Sequence, residues 1–117
     1  MSLQIPESIS IRFTPILENG NTSIQLRDVE TNELLANITS SYAPKWGAEY
    51  INIHDTPDNQ SVIKMLISWG VIYDNVINMT QINGVSVSTY ELTSKADELR
   101  KMQYNKNFYD ILFNITP

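Results

Sequence analysis

The sequence predicts an α+β domain: an antiparallel sheet of five or six strands, one main helix over about 57–69 on one face, and a second short helix over about 94–103. Three observations carry this. Apolar and polar residues alternate with period two in several short runs. A capped helical stretch with a 3.6-residue stripe begins at Thr56. Asn83-Gly84, the strongest hairpin signal in the chain, stands between two further β-like runs.

The elements follow in order. Over 8–17, Ile9, Ile11 and Phe13 alternate with Ser10, Arg12 and Thr14, the period of a half-buried strand. Pro15 cannot donate to a ladder, which makes this an edge strand or ends it early. Glu18-Asn19-Gly20-Asn21 is a turn. Thr22 to Val29 is a second strand with Ile24 and Leu26 on one face. After the turn Glu30–Glu33 a third strand runs from Leu34 to Thr39, with Leu34, Ala36 and Ile38 inward. The loop 40–48 holds Tyr42, Pro44, Trp46 and Gly47. Glu49 to Asp55 is a fourth strand, Ile51 and Ile53 on one face and Tyr50, Asn52 and His54 on the other.

In the helix that follows, Thr56 is the cap, Pro57 suits the first helical position and Asp58 meets the positive end of the dipole. Val62, Met65, Leu66 and Trp69 form the predicted contact stripe, widened by Ile63 and Ile67, and Gly70 ends the helix. A hairpin joins a strand within 71–82 to one over 85–92. Thr93 or Ser94 then caps the second helix, whose stripe is Ala96, Leu99 and Met102. The aromatic stretch Tyr104–Phe113 is a third helix or an extended segment.

A chain of 117 residues with 42% apolar side chains makes one domain, 1–117, with its own core. It holds one histidine and no cysteine, which excludes a disulfide scaffold, a thiolate zinc site and a Cys nucleophile. No cofactor or metal is expected, and the expectation is a protein that is not an enzyme. His54 with Asp55 or Asp58 is the nearest approach to a base or a metal site, but capping explains Thr56 and Asp58 without any function. No serine sits in a nucleophile elbow, and no phosphate-binding glycine loop occurs. No apolar run is long enough to span a membrane, and the first residues have no signal-peptide pattern, so a cytoplasmic protein (or virion component) is expected. Five Asn-x-Ser/Thr triplets are read as by-products of an Asn-rich composition.

The net charge is −5. Between 46 and 94, Glu49, Asp55, Asp58, Asp74 and Glu91 face Lys64 alone. That field disfavours nucleic acid and membrane as partners and suits a basic protein. Trp46 and Tyr42 are the candidate interface anchors in the loop, the alternative being that Trp46 plugs the sheet. Phe108 and Tyr109 lead the C-terminal aromatics, which either dock on the chain's own sheet or hold a second subunit.

The strand pair around Ile24–Ile38, Tyr50-Ile51-Asn52-Ile53, Asn59 at a helix start, Leu66 and Gly70, and Gly84 before Tyr90-Glu91-Leu92 resemble a family of small uncharacterised proteins of low-GC Gram-positive bacteria, their mobile elements and phages. The resemblance spans about two-thirds of the chain and brings no catalytic residues with it. The family has no assigned activity, and the resemblance implies only a phage or mobile-element setting; the acidic imbalance across 46–94 is what points to a small non-catalytic binding protein, an inhibitor of a host defence or nucleic-acid-handling protein being one version. A structural or assembly component of a virion or multiprotein complex is the alternative.

Overall fold

A computed structural model describes residues 3–37, 39–40 and 43–115, the side chains of 106–115 excepted. The elements are β1 (Ile9–Pro15), β2 (Thr22–Asp28), β3 (Leu34–Asn37), β4 (Tyr50–His54), α1 (Pro57–Ser68), β5 (Asn78–Ile82), β6 (Val85–Glu91) and α2 (Ser94–Ile115). The α+β class is as predicted. The single sheet is not: there are two three-stranded antiparallel sheets, ordered β1-β2-β3 and β4-β6-β5.

β3 is four residues long and ends at Asn37, opposite Gln25 of β2; a register shift between Leu26 and Arg27 lies at the turn end of this pair and increases its local twist. Thr39 then meets Ile53 in an isolated bridge, and the Ser40 amide donates to the Asn52 carbonyl at 2.7 Å. These contacts join the sheets. The same shift spoils the alternation predicted for β3: Leu34 and Leu35 are exposed and only Ala36 is partly buried, while Ile38 lies outside the described residues.

β1 is the edge strand that Pro15 implied. Its inward residues Ile11 and Phe13 sit opposite Leu26 and Ile24. These four join Ile51 and Ile53 of β4, Ile63 and Leu66 of α1, Val71, Ile72, Tyr90, Leu92 and Ala96 in one core.

α1 begins as predicted, the Thr56 hydroxyl accepting from the Asn59 amide at 3.4 Å. At its end Gly70 adopts φ 76°, the Val71 amide donates to Leu66 and the Gly70 amide to Ile67. This is the paired closure for which a left-handed glycine is needed, sealed by burial of both Val71 and Leu66. The contact face is centred on Ile63 and Leu66, with Val62, Ile67 and Trp69 at its margins. Met65 does not belong to it. At 100° per residue it lies about 130° round from the middle of that face, and it is 37% exposed.

Asn83 and Gly84 take φ 53° and 81°, the two positive values of a type I′ turn, and join β5 to β6. α2 continues to Ile115, past the expected end near 103, so the aromatic stretch belongs to the same helix. No glycine or proline interrupts 94–115. Its body-facing residues are Ala96, Leu99, Arg100, Gln103 and Tyr104, not the predicted Ala96, Leu99 and Met102, and Met102 is exposed. The Gln103 carboxamide lies along the outer edge of β1: its Oε1 accepts from the Phe13 amide at 2.7 Å and its Nε2 donates to the Ile11 carbonyl at 2.9 Å. One side chain thereby serves as a neighbouring strand and closes that edge.

Candidate binding surface

His54 and Asp55 are consecutive at the end of β4, where the ladder continues through the Asp55 amide to the Ser86 carbonyl at 2.8 Å. Side chains alternate along a strand, so the two point to opposite faces and do not form a pair. The Asp55 carboxylate is held by the Gln60 amide, and the His54 carbonyl by Asn59 Nδ2. Asp58 stands in the first turn of α1, at the positive end of the dipole. Among the described residues no group of three His, Asp or Glu side chains could hold a metal ion.

The loop bearing Trp46 is pinned from below. Asn21, fully buried, accepts the amides of Trp46 and Gly47 on Oδ1 at 2.7 and 2.8 Å and donates from Nδ2 to the Pro44 carbonyl at 2.8 Å. Thr22 adds a bond to the Ala48 carbonyl and one to the Tyr104 hydroxyl. Trp46 rests against Tyr50, ring centres 5.8 Å apart, and remains 37% exposed. It is neither a buried plug nor a free anchor. Tyr42 lies outside the described residues, as do the side chains of Phe108 and Tyr109.

Of the carboxylates between 46 and 94, Glu49 and Asp55 flank β4, Asp58 opens α1, and Asp74 and Glu91 come together. Ile72 bridges Leu92 and the Tyr73 amide donates to the Glu91 carbonyl, which sets residues 71–74 alongside the end of β6. Asp74 and Glu91 consequently line one open depression of about 380 Å³ with Tyr73, Asn75 and Ile77. Burial raises the Tyr90 hydroxyl above its ordinary ionisation range, and the nearby charges of Asp55 and Asp74 push it the same way. Glu49 stands at the opposite end of β4 from Asp55, roughly 20 Å away at strand rise. The ion pairs among the described residues all lie on α2: Lys95–Glu98, Arg100–Asp97 and Lys101–Asp97. Among the described residues, Asp74 and Glu91 have no ion-pair partner.

Beside this depression the surface turns apolar. Tyr73, Val76, Ile77 and Met79 are all exposed, Met79 to 60%. Sequence reasoning missed this cluster, although a signal was present: residues 75–90 contain no charged side chain. Nothing in the sequence marked Gln103.

A buried polar row crosses the sheet next to it. The Thr89 hydroxyl donates to Asn52 Oδ1 at 2.6 Å, and Asn52 Nδ2 has no hydrogen-bond partner among the described residues. No protein-family model matches the chain, no curated protein matches its sequence, and no solved structure matches its fold.

Proposed function

We propose that this is a non-catalytic protein-binding domain that receives a basic protein partner in the depression between Asp74 and Glu91. The observation that carries the reading is the pair of carboxylates without an ion-pair partner among the described residues, sharing one open depression with exposed Tyr73 and Ile77. Two such carboxylates attract Lys or Arg, and an aromatic face beside them suits either cation further. An inhibitor of a host defence or nucleic-acid-handling protein, encoded by a phage or mobile element, is one concrete version, because such targets carry basic surfaces.

The test is capture of partners from a low-GC Gram-positive lysate at low and high salt, identified by mass spectrometry, with wild type beside Asp74→Asn/Glu91→Gln. A near-stoichiometric basic partner, weakened by salt and lost from the double variant, is expected. Equal capture by both proteins would remove the depression from the reading. A second reading, an assembly component, is favoured by the uncharged edge of the β4-β6-β5 sheet.

A further inference from the structure

The two sheets have four edge strands, β1, β3, β4 and β5, and the chain treats them differently. Gln103 occupies the edge of β1. The chain beyond β3 turns to bridge Ile53 of β4. β5 is the outer strand of its sheet, and among the described residues no further strand pairs with it. Exposed edges are normally guarded by Lys, Pro or a bulge, since an unguarded one pairs with another strand. β5, Asn78-Met79-Thr80-Gln81-Ile82, has neither Lys nor Pro; its ladder with β6 runs without a register break from Asn78 to Ile82, and the one irregularity stands just before it, where the Ile77 amide also turns inward to the Thr89 carbonyl.

The register says which groups the edge offers. The amides of Asp55 and Leu92 bond to the carbonyls of Ser86 and Glu49. Even-numbered residues of β6 therefore turn their backbone groups toward β4 and odd-numbered ones toward β5. With Asn78, Thr80 and Ile82 opposite Thr89, Val87 and Val85, those three residues of β5 face inward. Met79 and Gln81 present their amides and carbonyls outward, symmetrically about Thr80.

We propose that a second copy of this chain pairs with this edge, β5 against β5 antiparallel about a two-fold axis at Thr80. Met79 then exchanges bonds with Gln81 of the second copy and Gln81 with its Met79, satisfying all four outward groups of each pair of residues. Thr80 meets its own counterpart on the other face, a favourable cross-strand pair. Val76 and Ile77 come against the Asn83-Gly84 turn of the second copy.

Charge selects this occupant. Two copies of a chain of net charge −5 repel one another overall, and residues 75–90, with no charged side chain, add nothing to that repulsion where they meet. Asp74 is offset from its counterpart by twelve residues of register, about 40 Å at strand rise and several screening lengths at physiological salt. The product is a continuous six-stranded sheet, β4-β6-β5 followed by β5-β6-β4, with an acidic depression toward each end. This deepens the assembly reading and rests on it. The depression would serve a monomer equally, so loss of basic-partner capture and loss of dimer are separate results.

The experiment is sedimentation equilibrium of the full chain from about 1 µM to 1 mM, the window in which small interfaces assemble, with amide hydrogen exchange at both ends of that range. The mass is expected to rise from 13.4 kDa toward twice that value, with little dependence on salt. The Met79 and Gln81 amides should slow at high concentration and exchange freely at low. Met79→Lys, which sets a charge on the edge, and Met79→Pro, which deletes an outward donor and no internal one, should each weaken association at least about tenfold. If the proline variant fails to fold, the lysine variant and the exchange data decide. A monomer at all concentrations would overturn the proposal. So would a dimer that leaves the Met79 and Gln81 amides unprotected or that Met79→Lys does not weaken.

Discussion

Replacing Gln103 by alanine removes two hydrogen bonds that span 90 and 92 residues of sequence and tie α2 to the edge of β1. Each such bond contributes about 1 kcal/mol net, so the pair is worth about 2 kcal/mol. Alanine returns a few tenths of a kcal/mol through its better helix propensity. Where water reaches the freed Phe13 amide and Ile11 carbonyl, the net loss is about 1.5 kcal/mol. If they stay dry beneath the helix, each adds an unsatisfied-group penalty of about 1–3 kcal/mol. The smaller figure corresponds to a fall in Tm of about 5–9 °C for a domain of this length. Thermal and urea unfolding followed by circular dichroism measure it, and exchange of the Phe13 amide reports the site directly. Gln103→Glu sharpens the test. It keeps the acceptor for Phe13 but sets a carboxylate oxygen against the Ile11 carbonyl, which favours the protonated acid. This variant should gain stability as pH falls through its raised carboxyl pKa, where the acid proton restores a donor. A Gln103→Ala protein within 0.5 kcal/mol of wild type, with unchanged Phe13 exchange, would refute the reasoning.

Three further outcomes are expected. Gly70→Ala, at φ 76°, forces a Cβ into the left-handed region and should cost about 1–2 kcal/mol in urea unfolding, with no change in the slope. Asp74→Asn should bring Tyr90 ionisation nearer its ordinary value of 10.0 in an ultraviolet titration. In the wild type a raised value means the fold favours the neutral phenol, a contribution complete below about pH 10 and lost as pH climbs through the folded value. Asn52→Val should cost about 1–3 kcal/mol by leaving the buried Thr89 hydroxyl without its acceptor. The double change Asn52→Val/Thr89→Val should recover most of that, and a double no more stable than the single would contradict it.

What the sequence disclosed was local. Thr56 and Gly70 bound α1 within a residue of the expected limits, and Asn83-Gly84 makes the turn its dihedral preferences require. Such signals depend on a residue's own backbone and its nearest neighbours. The division into two sheets depends on β3 ending at Asn37 and the chain crossing to Ile53 of β4, set by how distant strands meet, and no single residue there announces it. Met65 was misplaced because the apolar residues of α1 cover more than half its circumference, and the packing around it chose which of them to bury. For the candidate surface, composition located the acidic stretch but could not tell that Asp74 and Glu91 share a depression that Glu49, although its carbonyl accepts the Leu92 amide, does not line. That pairing is made by the Ile72–Leu92 bridge, a contact across twenty residues.

The clamp on β1 also has a consequence for synthesis. β1, β2 and β3 are complete by residue 37, whereas the side chain that closes their outer edge is residue 103. At translation speeds of about 5–20 residues per second, Gln103 is added roughly 4.5–18 s after Phe13. Through that interval the first sheet exists, if at all, with its outer strand unclosed. The nascent chain is therefore most open to wrong pairing early in its synthesis, and a chain truncated before residue 103 should be far more prone to aggregate than its lost core contacts alone would imply.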